Sequence, residues 1–361
     1  MSTDLAYMAH ALQLAARGHF STSPNPRVGC VLVKNGVVIA EGWHVAAGGP
    51  HAEIHALQQA GAAASGATAF VTLEPCSHQG KTGPCCDALM QAGITRVVYG
   101  MQDPNPQVAG NGLQTLRDAG VTVDGPLLEH QAQALNPGFI KRMQTGLPFV
   151  RVKMAMSLDG RTAMASGESL WITGEAARQD VQRLRAQSCA IITAGSTVLS
   201  DDAQLTVRDQ QYLDALGARR PLRVLLDQHA HVGLDARIFN DQAPTLWCTS
   251  KLAPSHLPSH VQHWPLPTQQ HRADLRALLA ELSNRGCSDV LVEAGATLAG
   301  SFLQEKLVDE MVIYMAPKLL GSTARPLFTL PFESMNEAHN LKILDVRAIG
   351  DDWRFTIKPL D

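Results

Sequence analysis

Residues 51–60 read HAEIHALQQA, 69–73 AFVTL, 84–92 PCCDALMQA and 96–100 RVVYG. The first and third patterns are helical; the second and fourth are short, apolar, β-rich runs. Helices alternating with such strands imply a layered α/β domain. Upstream, residues 2–18 predict a helix, because Leu5, Met8, Leu12 and Ala16 recur at helical spacing, Ser2 or Thr3 caps the start and Gly18 ends it. Residues 28–33 and 37–40 are β-rich and joined by Lys34-Asn35-Gly36, a hairpin signal. Downstream, a helix over 113–119 and a strand over 121–123 continue the alternation. It pauses around Asn136-Pro137-Gly138 and Gly146-Leu147-Pro148, punctuation that predicts a boundary near residue 147.

The second half reads as a further α/β domain with no internal repeat of the first. Strands are expected at 149–156, 190–193, 222–227, 246–249, 289–293 and 310–315, with helices at 175–186, 273–284 and 297–305. Residues 253–270, rich in Pro, Ser and His, read as a surface connection. The expected domains are 1–146 and 147–361.

Composition bounds the function. The chain has 361 residues, enough for about two domains at roughly 100–200 residues each. Its 45% hydrophobic and 17% charged residues are a globular composition and exclude a wholly disordered chain. No apolar run approaches the ~18 residues of a membrane span, and the first twenty residues lack a signal core, so a cytoplasmic protein with no membrane partner is expected. A net charge of −3 without a basic stripe argues against a nucleic-acid partner. Seven cysteines spread over the chain do not suggest a disulfide framework. Three of them, Cys76, Cys85 and Cys86, crowd together and require a separate explanation.

His51-Ala52-Glu53 stands at the start of a predicted helix, Cys76 follows a strand, and Cys85 opens a helix after Pro84. Imidazole and thiolates are ligands zinc prefers, and three of them with an open position mark a catalytic site. Thiolates near a helix N-terminus are favoured by its exposed N–H groups. H-x-E followed by P-C and a further cysteine is the general signature of zinc nucleobase deaminases, although these cysteines are spaced more widely than the usual P-C-x-x-C. The metal ligands are expected to be His51, Cys76 and Cys85, holding one zinc ion. Cys86 is an alternative to Cys85, since adjacent helical residues point about 100° apart and only one can face the metal. Zinc would lower the pKa of its water towards ~7, and Glu53 would move protons as general base and then acid while ammonia leaves an aminopyrimidine.

Further motifs fall into one series: Asn25-Pro26-Arg27-Val28-Gly29-Cys30, Leu73-Glu74-Pro75-Cys76-Ser77-His78, Thr82-Gly83-Pro84-Cys85-Cys86 and Asp103-Pro104-Asn105-Pro106. Ser157-Leu158-Asp159-Gly160-Arg161, Ser169-Leu170-Trp171-Ile172-Thr173, Val292-Glu293-Ala294-Gly295-Ala296-Thr297 and Ala316-Pro317-Lys318-Leu319-Leu320-Gly321 extend it through the second half. Together they closely resemble the bifunctional deaminase–reductases of riboflavin biosynthesis. The resemblance implies a cytidine-deaminase-like three-layer α/β/α domain and a dihydrofolate-reductase-like α/β domain. It implies deamination of 2,5-diamino-6-(5-phosphoribosylamino)pyrimidin-4-one and NADPH-dependent reduction of the ribosyl chain to ribityl. It also implies that Asn25, His44, Lys81 and Asn105 meet the deaminase substrate, a small phosphorylated pyrimidine; a homo-oligomer is expected, although the sequence does not give the oligomeric state.

In the second half there is no G-x-G-x-x-G, so a Rossmann cofactor site is not indicated. Gly295 to Thr297 instead form a turn into a helix whose N–H groups could hold a cofactor phosphate. By the resemblance, Gly295, Ala296, Thr297, Leu298, Ala299, Gly300 and Ser301 form the NADPH loop, joined by Ala155, Trp171, Thr197 and Asp201. Ser169, Arg185, Leu205, Arg208 and Glu293 would meet substrate, with Arg185 and Arg208 forking on its phosphate. Lys153 and Asp201 are both possible proton donors. The competing reading is a tRNA or DNA deaminase with a C-terminal binding domain.

Overall fold

The computed structural model describes residues 3–360 other than 79–82, 107, 170, 253 and 270–271. The chain comprises two compact units, Met1–Leu147 and Pro148–Asp361. Among the described residues, no helix is long and apolar enough to cross a membrane.

In the first unit, α1 (Thr3–Ala16) precedes a hairpin of β1 (Gly29–Lys34) and β2 (Val37–Trp43). Its turn places Asn35 and Gly36 at φ 52° and 76°, the left-handed pair that an Asn-Gly hairpin needs. Then follow α2 (Ala52–Ala60), β3 (Thr68–Leu73), α3 (Cys85–Gln91), β4 (Arg96–Met101), α4 (Asn111–Asp118) and β5 (Thr122–Asp124). The strand order is β2-β1-β3-β4-β5. β1 is antiparallel to both neighbours, whereas β3, β4 and β5 run parallel.

Alternation along the strands sorts the core into two layers. Cys30, Leu32, Ala69, Val71 and Val97 pack with Ala52, Ala56, Cys86, Leu89 and Leu116 from α2, α3 and α4. Val31, Val33, Phe70 and Val98 pack with Met8, Ala11 and Leu12 of α1, and with Leu135 and Phe139 of α5 (Glu129–Leu135) and α6 (Pro137–Thr145). Each fully buried Leu or Phe contributes about 1.5–3 kcal/mol to this three-layer arrangement. Gly42 on β2 allows α2 to lie against the sheet, since a Cβ there would stand 2.2 Å from the Ala52 carbonyl oxygen. That approach fixes where α2 begins, and with it His51 and Glu53.

Helix α6 corrects the sequence reading of 136–148 as a pause. Pro137 is an opening residue of α6, where its missing N–H costs no hydrogen bond. Asn136 is a buried staple: its Oδ1 accepts from the Arg27 amide at 2.8 Å and its Nδ2 donates to the Arg27 carbonyl at 2.9 Å.

The second unit contains β6 (Phe149–Ser157), β7 (Arg161–Ala163), α7 (Glu175–Gln187), β8 (Ala190–Ala194), α8 (Gly195–Asp201), α9 (Gln210–Leu216), β9 (Leu222–Leu226) and β10 (Thr245–Thr249). It continues with β11 (Val261–Pro265), β12 (Thr268–Gln269), β13 (Arg272–Ala273), α10 (Leu275–Asn284), β14 (Asp289–Glu293) and α11 (Ala296–Gln304). β15 (Glu310–Ala316), β16 (Arg325–Pro326), β17 (Leu341–Ile349) and β18 (Asp352–Pro359) complete it. Nine strands form one sheet in the order β11-β10-β9-β8-β14-β6-β15-β18-β17. The first seven run parallel, and β18 and β17 close the edge antiparallel. Ala177, Val181 and Leu184 of α7 pack on Ile191, Leu225, Leu291 and Val312 of the sheet.

Two features depart from expectation here. The stretch read as a surface connection holds β11, an edge strand ending at Pro265, where a missing N–H is tolerated. The β17–β18 hairpin, beyond the last strand expected, leaves Leu341, Ile343, Leu344, Val346 and Trp353 exposed.

Candidate active sites

The first site assembles where α2, α3 and the end of β3 meet. His51 caps α2 in extended conformation, so its ring leaves the helix axis. Its Nδ1 lies 3.2 Å from Cys85 Sγ and 3.6 Å from Cys76 Sγ, and the Cys85 amide donates to Cys76 Sγ at 3.3 Å. The three donor atoms lie within 4.8 Å of one another, so one imidazole and two sulfurs can close on a single ion. This donor set, with no fourth protein ligand among the described residues, fits a zinc ion with an open position. Hydrogen bonding from Cys85, then from His51, holds the Cys76 thiol down at about 4, while burial works against it. Cys85 shares its proton with Cys76 and is pushed up by that bond and by burial. Cys86 points elsewhere: its thiol lies 3.3 Å from the Pro75 carbonyl oxygen and 3.4 Å from that of Gly112.

Glu53, two residues into the chain after His51, is 3% exposed, and burial raises its carboxyl to about 6. A cavity of about 270 Å³ joins His51, Glu53 and Cys76 to Asn25, His44 and Asn105. His44 Nδ1 lies 3.0 Å from the Pro50 carbonyl oxygen, which only accepts; Nε2, 3.0 Å from Asn25 Nδ2, therefore accepts in turn. Burial lowers the His44 pKa, in keeping with this neutral ring. Lys81 lies outside the described residues. Sequence reasoning missed Phe139, Arg142 and Met143, which α6 brings to the cavity wall. A 3.6-residue period through 139–143 was the available signal, obscured by the Asn-Pro-Gly before it.

The second unit holds a larger cavity, about 720 Å³. It is lined by Ser169, Thr197, Asp201, Gly295, Ala296, Thr297, Leu298 and Ser301 among others. Gly295 caps α11 without a side-chain bond, and the space where a Cβ would stand is empty to 4 Å. The first N–H groups of α11 are thereby open to an anion such as a cofactor phosphate. Asp201 accepts from the Ser169 hydroxyl at 3.3 Å. Other expected cofactor residues stand apart from this lining. Ala299 and Gly300 lie on the buried face of α11, Ala155 lies on β6, and Trp171 is 63% exposed beneath the Arg178 guanidinium.

The expected substrate residues group around Glu293 at the end of β14. Arg185 grips it with Nε–Oε1 at 2.6 Å and Nη2–Oε2 at 3.0 Å, and gives Nη1 to the Thr206 carbonyl at 3.0 Å. The fork expected to hold phosphate is thus occupied, because Glu293 is buried and needs a counter-charge. Burial works to raise the Glu293 carboxyl, but Arg185, Lys153 and Arg208 outweigh it and hold it below its usual range. Lys153 is its register partner on β6, and burial lowers that ammonium's pKa. Arg208 is exposed and its amide donates to Gln182 Oε1 at 2.8 Å. Leu205 is a core side chain with φ 53°, so only its backbone is placed to meet a ligand.

Each of the two units matches a known family. Residues 1–101 match the cytidine and deoxycytidylate deaminase zinc-binding region, and residues 148–355 match the RibD C-terminal domain. The chain is 50% identical to riboflavin biosynthesis protein RibD of Escherichia coli, over 97% of each chain. It is 47% identical to that of Haemophilus influenzae, over 99% of this chain and 98% of the other. Among solved structures, Acinetobacter baumannii RibD superposes with a TM-score of 0.93 at 47% identity over 99% of both chains. The Thermotoga maritima diaminohydroxyphosphoribosylaminopyrimidine deaminase/5-amino-6-(5-phosphoribosylamino)uracil reductase gives 0.88 at 34% over the same shares. Nothing supports the nucleic-acid alternative. With a zinc-binding deaminase domain and a reductase domain on one chain, this protein belongs to the RibD family of bifunctional deaminase–reductases of riboflavin biosynthesis.

Proposed function

We propose that deamination takes place in the first unit, at His51, Cys76, Cys85 and Glu53, and reduction in the second, between the α11 cavity and Glu293. The observation that carries this reading is the convergence of His51, Cys76 and the buried Glu53 carboxylate on one cavity, with Cys85 Sγ completing the donor set beside them. The substrate is the diaminopyrimidine ribosylamine phosphate named for the Thermotoga maritima relative.

His51, Cys76 and Cys85 would hold a zinc ion, which would supply the Lewis acidity that makes water nucleophilic near neutral pH. Asn25, held by His44, and Asn105 orient the pyrimidine. Glu53 takes one proton from the attacking water and passes it to the ring nitrogen, then carries the second, from the newly formed hydroxyl, to the departing amine. A carbon–oxygen bond forms, the exocyclic carbon–nitrogen bond breaks, and ammonia leaves. Burial of Glu53 suits it to both directions of transfer.

In the second unit NADPH supplies the hydride. The N-terminus of α11, with Ser169, Thr197 and Ser301 in the cavity lining, would hold this cofactor. Arg208, exposed, meets the substrate phosphate, while Arg185 is taken up by Glu293. Lys153 gives the proton to the opening sugar: it lies beside Glu293, and burial makes it a readier donor. Asp201 is instead engaged with Ser169.

We also infer a homo-oligomer, supported by the β17–β18 hairpin. At this edge of the nine-stranded sheet one face exposes Leu341, Ile343, Val346 and Trp353 together, an apolar patch suited to cover by a second copy of the chain. The free cysteines suit a reducing compartment, the cytoplasm. Mass identification of the products formed from the diaminopyrimidine phosphate tests the division. Deaminated product alone is expected without NADPH and the ribitylamino product with it; reduction before deamination would overturn the order, and no product the assignment.

A further inference from the structure

We propose that Glu74 is a positioning residue for deamination: its carboxylate ties together the ends of the stretch that carries Asn105 and so holds Asn105 at the cavity. This rests on the reading of that cavity as the deamination site. Glu74 directly precedes Pro75-Cys76 and is 4% exposed. Its Oε2 accepts from the amides of Asp103 at 3.1 Å and Gly110 at 2.9 Å, one at each end of the stretch. Its Oε1 accepts from Gly112 at 2.9 Å and Leu113 at 3.4 Å, at the start of α4.

Between the two anchors the chain is organised around Asn105. The Asn105 amide donates to Asp103 Oδ1 at 2.8 Å, and its carbonyl accepts from Val108 and Ala109 at 2.9 Å each. Asp103, Asn105 and Val108 all line the cavity. The start of α4 is pressed against the same strand end: a Cβ on Gly112 would stand 2.0 Å from the Pro75 carbonyl oxygen and 3.2 Å from Glu74 Oε1.

Four N–H groups demand acceptors alone, and an ionised carboxylate offers lone pairs on both oxygens with no donor. A glutamine would keep one acceptor and turn an NH₂ on two buried donors. The four donors lie after β4 and at the start of α4, and none of them belongs to His51, Glu53, Cys76 or Cys85. The deficit on losing the carboxylate therefore falls on substrate binding.

The test compares full-length Glu74→Gln and Asn105→Ala with wild type. For Glu74→Gln, zinc content is expected to hold, and KM for deamination to rise about tenfold, equivalent to roughly 1.4 kcal/mol. kcat is expected to stay within about threefold. Amide hydrogen exchange should accelerate at Asp103, Gly110 and Gly112. The double variant should show a KM no worse than Asn105→Ala alone, because both changes remove the same contact. Freed amides with an unchanged KM, a fall confined to kcat, or additive losses in the double variant would overturn the proposal. Wild-type KM in Asn105→Ala would instead sink the reading of the cavity, and this proposal with it. If Glu74→Gln does not fold, Glu74→Asp, with two acceptors at shorter reach, is measured in the same way.

Discussion

The two cavities are made of different material. The first, of about 270 Å³, is defined by side chains whose chemistry is rare: an imidazole, a thiol and a buried carboxylate in its lining, with a second thiol beside them. The second is nearly three times larger, about 720 Å³, and its expected cofactor side is the bare start of a helix with small hydroxyl residues around it. A donor set that closes on one ion loses its function when any member is lost. A backbone cradle distributes its grip over many weak contacts. The N-terminal site should therefore fail abruptly, and the C-terminal site by degrees.

The largest expected effect tests that contrast directly. Removing the metal with a chelator should abolish ammonia release and leave NADPH oxidation on pre-deaminated substrate intact, with zinc restoring the first activity. If both activities vanish together, the two sites do not work separately. Next in size, Glu53→Gln should keep its zinc and lower deamination by about 10²–10⁴-fold, the range for a lost general acid–base. Ammonia release at the wild-type rate would remove Glu53 from the mechanism.

Two arginines sharpen the comparison within the second unit. Arg185→Ala removes the hydrogen-bonded counter-charge of the buried Glu293 and leaves only Lys153 and Arg208 near it, so the cost should lie at or below the about 3–5 kcal/mol of a broken buried pair. Its side chain and that of Glu293 are only 12% and 9% exposed, so solvent screening relieves little of this. Thermal unfolding should show a lowered transition together with lost reduction. Arg208→Ala, on the surface, should leave the transition unchanged and raise KM for reduction about tenfold, the scale of one charge-assisted phosphate contact. Equal stability losses in the two variants would deny Arg185 its role as the anchor of Glu293.

The same contrast explains what could be read from the letters. The alternation in the first unit was legible because each strand sorts its residues between two helical layers, and the zinc ligands because few residues have their chemistry. Helix α6 was hidden by Asn136-Pro137-Gly138: a proline reads as a stop, yet at a helix's opening it is a start. With α6 went Phe139, Arg142 and Met143. Pro265 concealed β11 similarly, since sequence does not tell an edge strand from a loop. The pairing of Arg185 with Glu293 joins residues 108 apart in sequence, and no local pattern encodes that. Only the fold reveals which arginine is already occupied.

The smallest expected effect discriminates most finely, between neighbouring cysteines. Cys85 and Cys86 open the same helix, so a change at either disturbs nearly the same backbone. Cys85 Sγ faces His51 Nδ1 at 3.2 Å, whereas Cys86 Sγ faces two carbonyl oxygens, one of them on Gly112 beside the start of α4. A single S–H can serve only one of those oxygens at a time, and weakly, so Cys86→Ala should cost about 1 kcal/mol or less. Zinc content and deamination should remain near wild type, while Cys85→Ala should lose both. Zinc titration of the two variants decides the matter: metal lost from Cys86→Ala and kept by Cys85→Ala would exchange the roles of the pair and turn α3 by about 100° relative to the ion.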